Sequence, residues 1–149
     1  MPPCRIPSCT LPAVPPPADP RTPLGGPTAP ARHTAKPWGH ELLWALTPGY
    51  AAKEIAIADG ERLSLQVHEA KDETMVVLSG VLALGLEDGA GRMRALRLGP
   101  GERVHIPAGV RHRPASGGGT VVLMEASTPE LGDVVRLADD FGREGTSAA

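Results

Sequence analysis

The sequence predicts an all-β domain behind a proline-rich N-terminal tail, and three observations carry that prediction. From Lys36 onward the chain reads as short aliphatic and β-branched runs separated by glycine, proline and aspartate turn signals. No 3.6-residue periodicity persists in that region. Before it, the stretch Met1 to Pro37 holds twelve of the 17 prolines. Proline fixes φ and removes a backbone donor, so such a tract builds neither a helix nor a ladder.

The elements follow in order. Residues 1–35, with Pro15-Pro16-Pro17 and Gly25-Gly26 at their middle, are expected as a disordered or polyproline-II-like tail. The folded domain is expected over 36–145, with a short disordered C-terminus over 146–149. Trp38 and Trp44 are expected to pack in its N-terminal arm, and His40 to sit at an exposed turn, while His33 falls in the tail. Ala52 to Ala58 is a first candidate strand, with Ile55 and Ile57 on one face. Asp59-Gly60 makes a turn, and Leu63, Leu65 and Val67 then alternate with Ser64, Gln66 and His68. Thr74 to Ser79, Val81 to Leu86, Met93 to Leu98, Arg103 to Ile106 and Thr120 to Ala126 are further strands. Between them stand Gly80, Asp88-Gly89-Ala90-Gly91, Gly99-Pro100-Gly101 and Pro107-Ala108-Gly109. Gly60, Gly80, Gly101 and Gly109 are expected to meet turn geometry that needs positive φ or close approach. After Pro129 a short helix or an extended tail is expected.

Composition narrows the function classes. At 149 residues the chain fits one domain, and 41% hydrophobic residues suffice for a modest core. Aromatics are 3%, so aliphatics must fill it. A net charge of −2 leaves no broad basic field for nucleic acid. No apolar run is long enough for a transmembrane helix, and no secretory h-region is visible, so a cytoplasmic protein off the membrane is expected. Cys4 and Cys9 read as free thiols on the tail rather than a zinc site.

Two segments carry chemistry. Alternation in Leu63 to His68 puts Gln66 and His68 side by side on one face, roughly 7 Å apart at the backbone. Glu73 follows across a loop short enough to lay it on a neighbouring strand. By itself this set fits a solvated face as well as a metal site. A second segment, Gly101 to His112, adds Pro107, Gly109 and His112.

Together the segments resemble the two cupin motifs. Gly60, five residues, Gln66-Val67-His68, four residues, Glu73, six residues and Gly80 match the first, with Gln in place of its first His. Gly101, Pro107, Gly109 and His112 match the second, with Ser116 where Asn is usual. The resemblance implies a cupin double-stranded β-barrel of the jelly-roll type. It also implies one divalent metal, Zn, Mn, Fe, Co or Ni, held by Gln66, His68, Glu73 and His112 at a net charge near +1.

A narrower similarity covers residues 36 to about 143. Lys36-Pro-Trp-Gly39, Leu63 to His68, Ile106 to Arg113 and Asp133 to Arg143 look like the cupin domain of type II mannose-6-phosphate isomerases, whose ligands are a Gln, two His and a Glu. A stand-alone form, without the nucleotidyltransferase domain of bifunctional members, is expected. Two departures stand out: Lys71 replaces an Arg, and Glu73-Thr74-Met75 replaces a Glu-His-Trp triplet.

The resemblance implies aldose–ketose isomerisation of mannose 6-phosphate or a related hexose phosphate, with a homodimeric assembly. Such a reaction needs a positioned base. Lys53, near Tyr50, aligns with a family lysine and is the leading candidate, equally well read as a solvated strand lysine. Arg143 is a second catalytic candidate. Arg113 and Arg136 are candidates for binding the substrate phosphate, although alternation sends Arg113 to the face opposite His112. Arg136 and Arg143 could instead pair with Asp133, Asp139 or Asp140. His105 reads as a packed or surface histidine. Two other functions stay open: a non-catalytic sugar-binding or regulatory cupin, and an Fe(II)-dependent dioxygenase, against which Gln66 argues.

Overall fold

The structure, a computed structural model, describes residues 28–145. The proline tract up to residue 27, with Cys4 and Cys9, and the last four residues lie outside the described residues. Eleven strands occur among the described residues and no helix. They are β1 (Arg32–Lys36), β2 (Gly39–Leu46), β3 (Ala51–Ile57), β4 (Leu65–Val67), β5 (Glu73–Ser79) and β6 (Leu82–Glu87). Then come β7 (Met93–Leu98), β8 (Arg103–Ile106), β9 (His112–Ser116), β10 (Val121–Ser127) and β11 (Val135–Ala138).

The strands form two antiparallel sheets. The first runs β1-β2-β3-β10-β5-β8 and the second β11-β4-β9-β6-β7. Alternation explains which side chains face inward. On β10, Val121, Leu123, Glu125 and Ser127 are buried, while Val122 and Met124 are half-buried on the other face. Between the sheets, Ile55, Ile57, Val77, Leu82, Leu84 and Leu123 build an aliphatic core closed at one side by Trp38. The edge strand β7 is exposed over nearly its whole length, and Arg94 and Arg97 blunt it against edge pairing.

Several features depart from the sequence expectation. Strand β1 begins inside the stretch expected as tail, paired to β2 from Arg32↔Leu43 to Lys36↔Gly39. His33 and His40 therefore stand on paired strands with ring centroids 5.0 Å apart, rather than in a tail and an exposed turn. Trp44, expected to pack, is 49% exposed, with Nε1 donating to Met124 Sδ at 3.0 Å. Strand β9 forms where no strand is expected; its Pro114 is buried and lacks an N–H, while its carbonyl accepts from Leu63 N at 2.9 Å. After Pro129 the chain forms neither a helix nor a free tail but returns to the sheet as β11, paired with β4. His105 is a surface residue facing Asp72 at 2.9 Å.

The four motif glycines all take positive φ. Gly80 also needs its missing side chain, since a Cβ there would meet Thr120 O at 2.4 Å.

Candidate metal centre and adjoining pocket

The two sheets bring the expected ligands together. Gln66 on β4 is the register partner of His112 on β9. His68 follows the end of β4, and its carbonyl accepts from Gly109 N at 2.7 Å, tying the turn before β9 to the ligand strand. Glu73 opens β5 in the other sheet, opposite Ile106 and Ser127. His68, Glu73 and His112 are buried, and one ligand atom from each lies within 4.8 Å of the others.

Both imidazoles are oriented by backbone carbonyls. His68 Nδ1 faces Asp133 O, and His112 Nδ1 faces Val110 O at 3.0 Å. A carbonyl can only accept, so each Nδ1 carries the proton and each Nε2 presents a lone pair inward. Those lone pairs meet Glu73: His112 Nε2 lies 2.9 Å from Oε1 and His68 Nε2 3.8 Å from Oε2. His68 Nε2 and Glu73 Oε1 are buried without a hydrogen-bond partner. Buried acceptors facing one another are costly unless a cation stands between them. The donor set therefore fits a divalent metal of the borderline class. Gln66 borders it, with Oε1 accepting from Ser64 Oγ at 2.9 Å and Nε2 3.3 Å from His112 Nε2. A half-turn of the amide would present Oε1 inward and let Ser64 Oγ accept instead.

Lys71 and Asp133 support this centre. The Lys71 ammonium lies 2.5 Å from Glu73 Oε2 and 2.8 Å from Glu125 Oε1. All three residues are nearly inaccessible, at 4%, 1% and 3% exposure. Burial works against charge on Lys71, but the Glu125 and Glu73 carboxylates outweigh it and raise its pKa. Burial likewise pushes the Glu73 carboxyl up, and its polar and charged neighbours, the Lys71 ammonium among them, more than reverse this and hold it below the carboxylate range. The Asp133 carboxylate accepts from the N–H groups of Glu69, Ala70 and Lys71 at 3.1, 2.6 and 2.8 Å, fixing the loop between His68 and Glu73. Those donors overcome its burial and lower its pKa.

A pocket opens beside the centre, with His68 and Gln66 in its wall. Its cations are Lys36, Lys53, Lys71, Arg136 and Arg143, and its carboxylates are Glu41 and Glu125. Glu41 Oε2 lies 3.4 Å from Lys53 Nζ and 3.7 Å from Lys36 Nζ. Burial lowers the Lys36 pKa; Glu41 opposes this, and Lys53, Arg136 and Arg143 push it down further. Burial also lowers Arg136, with Arg143 adding to the effect. Positive charge is thus crowded here although the whole chain is net negative.

The model of the family described as "Cupin domain" matches residues 53–126. The folded domain is a cupin. Among curated proteins, it is 32% identical over 116 residues to a mannose-1-phosphate guanylyltransferase of Escherichia coli K12, covering 75% of this chain and 23% of that one. It is 31% identical to the xanthan biosynthesis protein XanB of Xanthomonas campestris pv. campestris, covering 75% of this chain and 24% of that one. The chain therefore spans about a quarter of the length of these relatives. Among solved structures, KdgF from Halomonas sp. superposes with a TM-score of 0.56 at 23% identity, covering 64% of this chain and 83% of that one. CapF, a capsular polysaccharide assembling protein of Staphylococcus aureus, gives 0.65 at 18% identity, over 74% and 35% of the two chains. These likenesses show the fold. No helix among the described residues is long and apolar enough to cross a membrane.

In this cupin the other expected residues divide between the pocket and the outside. Lys53, buried on β3, and Arg136, buried on β11 opposite Gln66, line the pocket. Arg143 lines it too, while Nη2 reaches Asp139 Oδ1 at 2.7 Å. Arg113 does not: Nε donates to Leu63 O at 2.9 Å and Nη2 to Asp140 Oδ1 at 2.9 Å, on the face opposite His112. Arg113 therefore braces the outer face and does not reach the pocket. Glu125, Glu41, Lys36 and the loop-capping role of Asp133 were missed from sequence. A signal existed for Glu125, since it shares an alternation face with Val121 and Leu123.

Proposed function

We propose that this cupin is a metal-dependent sugar-phosphate isomerase acting on mannose 6-phosphate or a related hexose phosphate. The observation that carries the reading is the excess of cations, three of them buried, in a pocket that shares a wall with the His68–Glu73–His112 cluster. Gln66, His68, Glu73 and His112 would hold the metal, which when bound supplies Lewis-acid stabilisation of negative charge on substrate oxygens. The chain's own residues do the rest. Lys36, Arg136 and Arg143 bind the phosphate, with the two guanidiniums offering forked donors. Lys53 holds a sugar oxygen between that end and the metal end. Val134 and Leu131 in the pocket wall exclude water. The names of the curated relatives support a sugar-phosphate setting, and pairing into a homodimer belongs to the same reading.

The test is conversion of mannose 6-phosphate to fructose 6-phosphate by protein stripped of metal and reloaded separately with Zn, Mn, Co, Ni and Fe(II), beside Glu73→Ala. Turnover that needs both metal and Glu73 is the expected result. A folded, metal-loaded protein without turnover refutes the reading. Binding of the sugar phosphate in that case identifies a non-catalytic cupin, and oxygen consumption with Fe(II) identifies a dioxygenase.

A further inference from the structure

Glu125 is a carboxylate on the apolar face of its strand, between Leu123 and Ser127, and it lines the pocket. Desolvating a carboxylate is costly unless it is paired or serves a purpose. Its pairing is with Lys71, whose ammonium also holds Glu73 Oε2. One ammonium nitrogen therefore separates Glu125 from the metal-facing carboxylate. In register Glu125 is also directly opposite Lys53. It thus stands between the ligand cluster and the cationic end of the pocket, beside the place where the carbons of a bound sugar phosphate would lie. Lys53 is the competing proton carrier. Its ammonium has three donors and no acceptor, and Glu41 engages it at 3.4 Å. A carboxylate offers the lone pairs that proton abstraction needs.

We propose, on the isomerase reading above, that Glu125 carries the proton between C2 and C1 of the substrate. The carboxylate takes the hydrogen on C2 as a proton. The C2–H electron pair becomes the C1–C2 π bond, and the C1=O1 π pair moves onto O1, which gains a proton. In the second half the O2–H proton leaves to water, balancing the one O1 took up from water; its electron pair forms C2=O2, and the C1=C2 π pair becomes a C1–H bond to the proton that the Glu125 carboxyl returns. The aldose has become the ketose with no net oxidation and no co-reactant.

The experiment compares metal-loaded wild type, Glu125→Gln, Glu125→Asp and Lys53→Met in deuterated water. Mannose 6-phosphate is the substrate; turnover, deuterium entering the carbon-bound positions, and metal per chain are measured together. The expected result for Glu125→Gln is a kcat about 10²–10⁴-fold lower, with deuterium incorporation falling in step, KM within threefold and metal content unchanged. Glu125→Asp recovers part of the rate, and Lys53→Met acts mainly on KM. A Glu125→Gln protein that keeps more than a tenth of wild-type kcat overturns the assignment, as does one that loses metal in proportion to activity, since Glu125 would then act through Lys71 on the centre. Wild type without turnover overturns the isomerase reading and this assignment together; an active wild type with an active Glu125→Gln overturns this assignment alone.

Discussion

Replacing Lys71 by methionine keeps the length of the side chain and removes the ammonium that Glu73 and Glu125 share. Both carboxylates are almost inaccessible, so water cannot take its place. Breaking a buried ion pair from one side costs about 3–5 kcal/mol, because the remaining charge is left without compensation. For a domain of this size that corresponds to a melting temperature lower by roughly 12–20 °C. Thermal unfolding of metal-free protein measures it. A metal ion at a hundred times its Kd returns at most about 2.7 kcal/mol, and it does so through Glu73, leaving Glu125 unpaired. The double variant Lys71→Met/Glu125→Gln should therefore be more stable than Lys71→Met alone, with a coupling of about 0.5–3 kcal/mol. A Lys71→Met protein melting within about 3 °C of wild type, or a double variant no more stable than the single one, would refute the view that this ammonium holds the inner face together.

Three further outcomes are expected. Asp133→Ala removes the acceptor for three loop N–H groups and should weaken metal binding by about 10–100-fold, as loss of a ligand-orienting partner does; competition with a chromogenic chelator measures this, and an unchanged affinity would show that the loop orders itself. Asp139 is held down to about 2 by the Arg143 guanidinium, against a smaller opposing effect of burial. A depressed carboxyl adds stability above its ordinary value near 3.8 and loses it as pH falls toward 2. Urea unfolding of Asp139→Asn should consequently show a flatter decline between pH 4 and 2 than wild type, and parallel curves would contradict the pairing. Gly80→Ala forces a Cβ to 2.4 Å from Thr120 O at a φ of +77°, which should lower stability by at least about 2 kcal/mol; an unmoved urea midpoint would mean that the β5–β6 turn yields.

Much of the barrel was legible because turn residues and two-residue alternation are local signals. Strand β7 and strand β8 begin and end where the pattern places them, and β3, β5, β6 and β10 are displaced by a residue or so. The strands that escaped are those whose local sequence argues otherwise. Strand β1 adjoins the proline tract, Pro114 interrupts β9, and Asp133 with Asp139 masks the short β11. The motif spacing pointed to His68, Glu73 and His112 because ligand geometry is encoded in fixed separations. The charge pairing of Glu41 with Lys53 and of Glu125 with Lys71 is different in kind. Each of its members looks like an ordinary surface charge until strands from distant parts of the chain pair, as Glu125 does with Lys53 from 72 positions away. The position of Glu125 on the face of Leu123 was the cue, and a charge on an apolar face is ambiguous until its partner is known.

The pocket's charged groups come largely from strands rather than from the loops at the mouth: Lys36 from β1, Glu41 from β2, Lys53 from β3, Glu125 from β10 and Arg136 from β11. Loop insertions, the usual route by which a barrel acquires a new substrate, would therefore leave this chemistry largely untouched. A change of specificity must instead alter inward-facing strand positions, and each such change breaks a charge pairing with a neighbouring strand. Single substitutions along that route are expected to lose stability before they gain anything, so diversification proceeds by compensated pairs. A library that varies Glu41 with Lys53, and Lys71 with Glu125, has a better chance of yielding folded variants than one that varies the four positions independently.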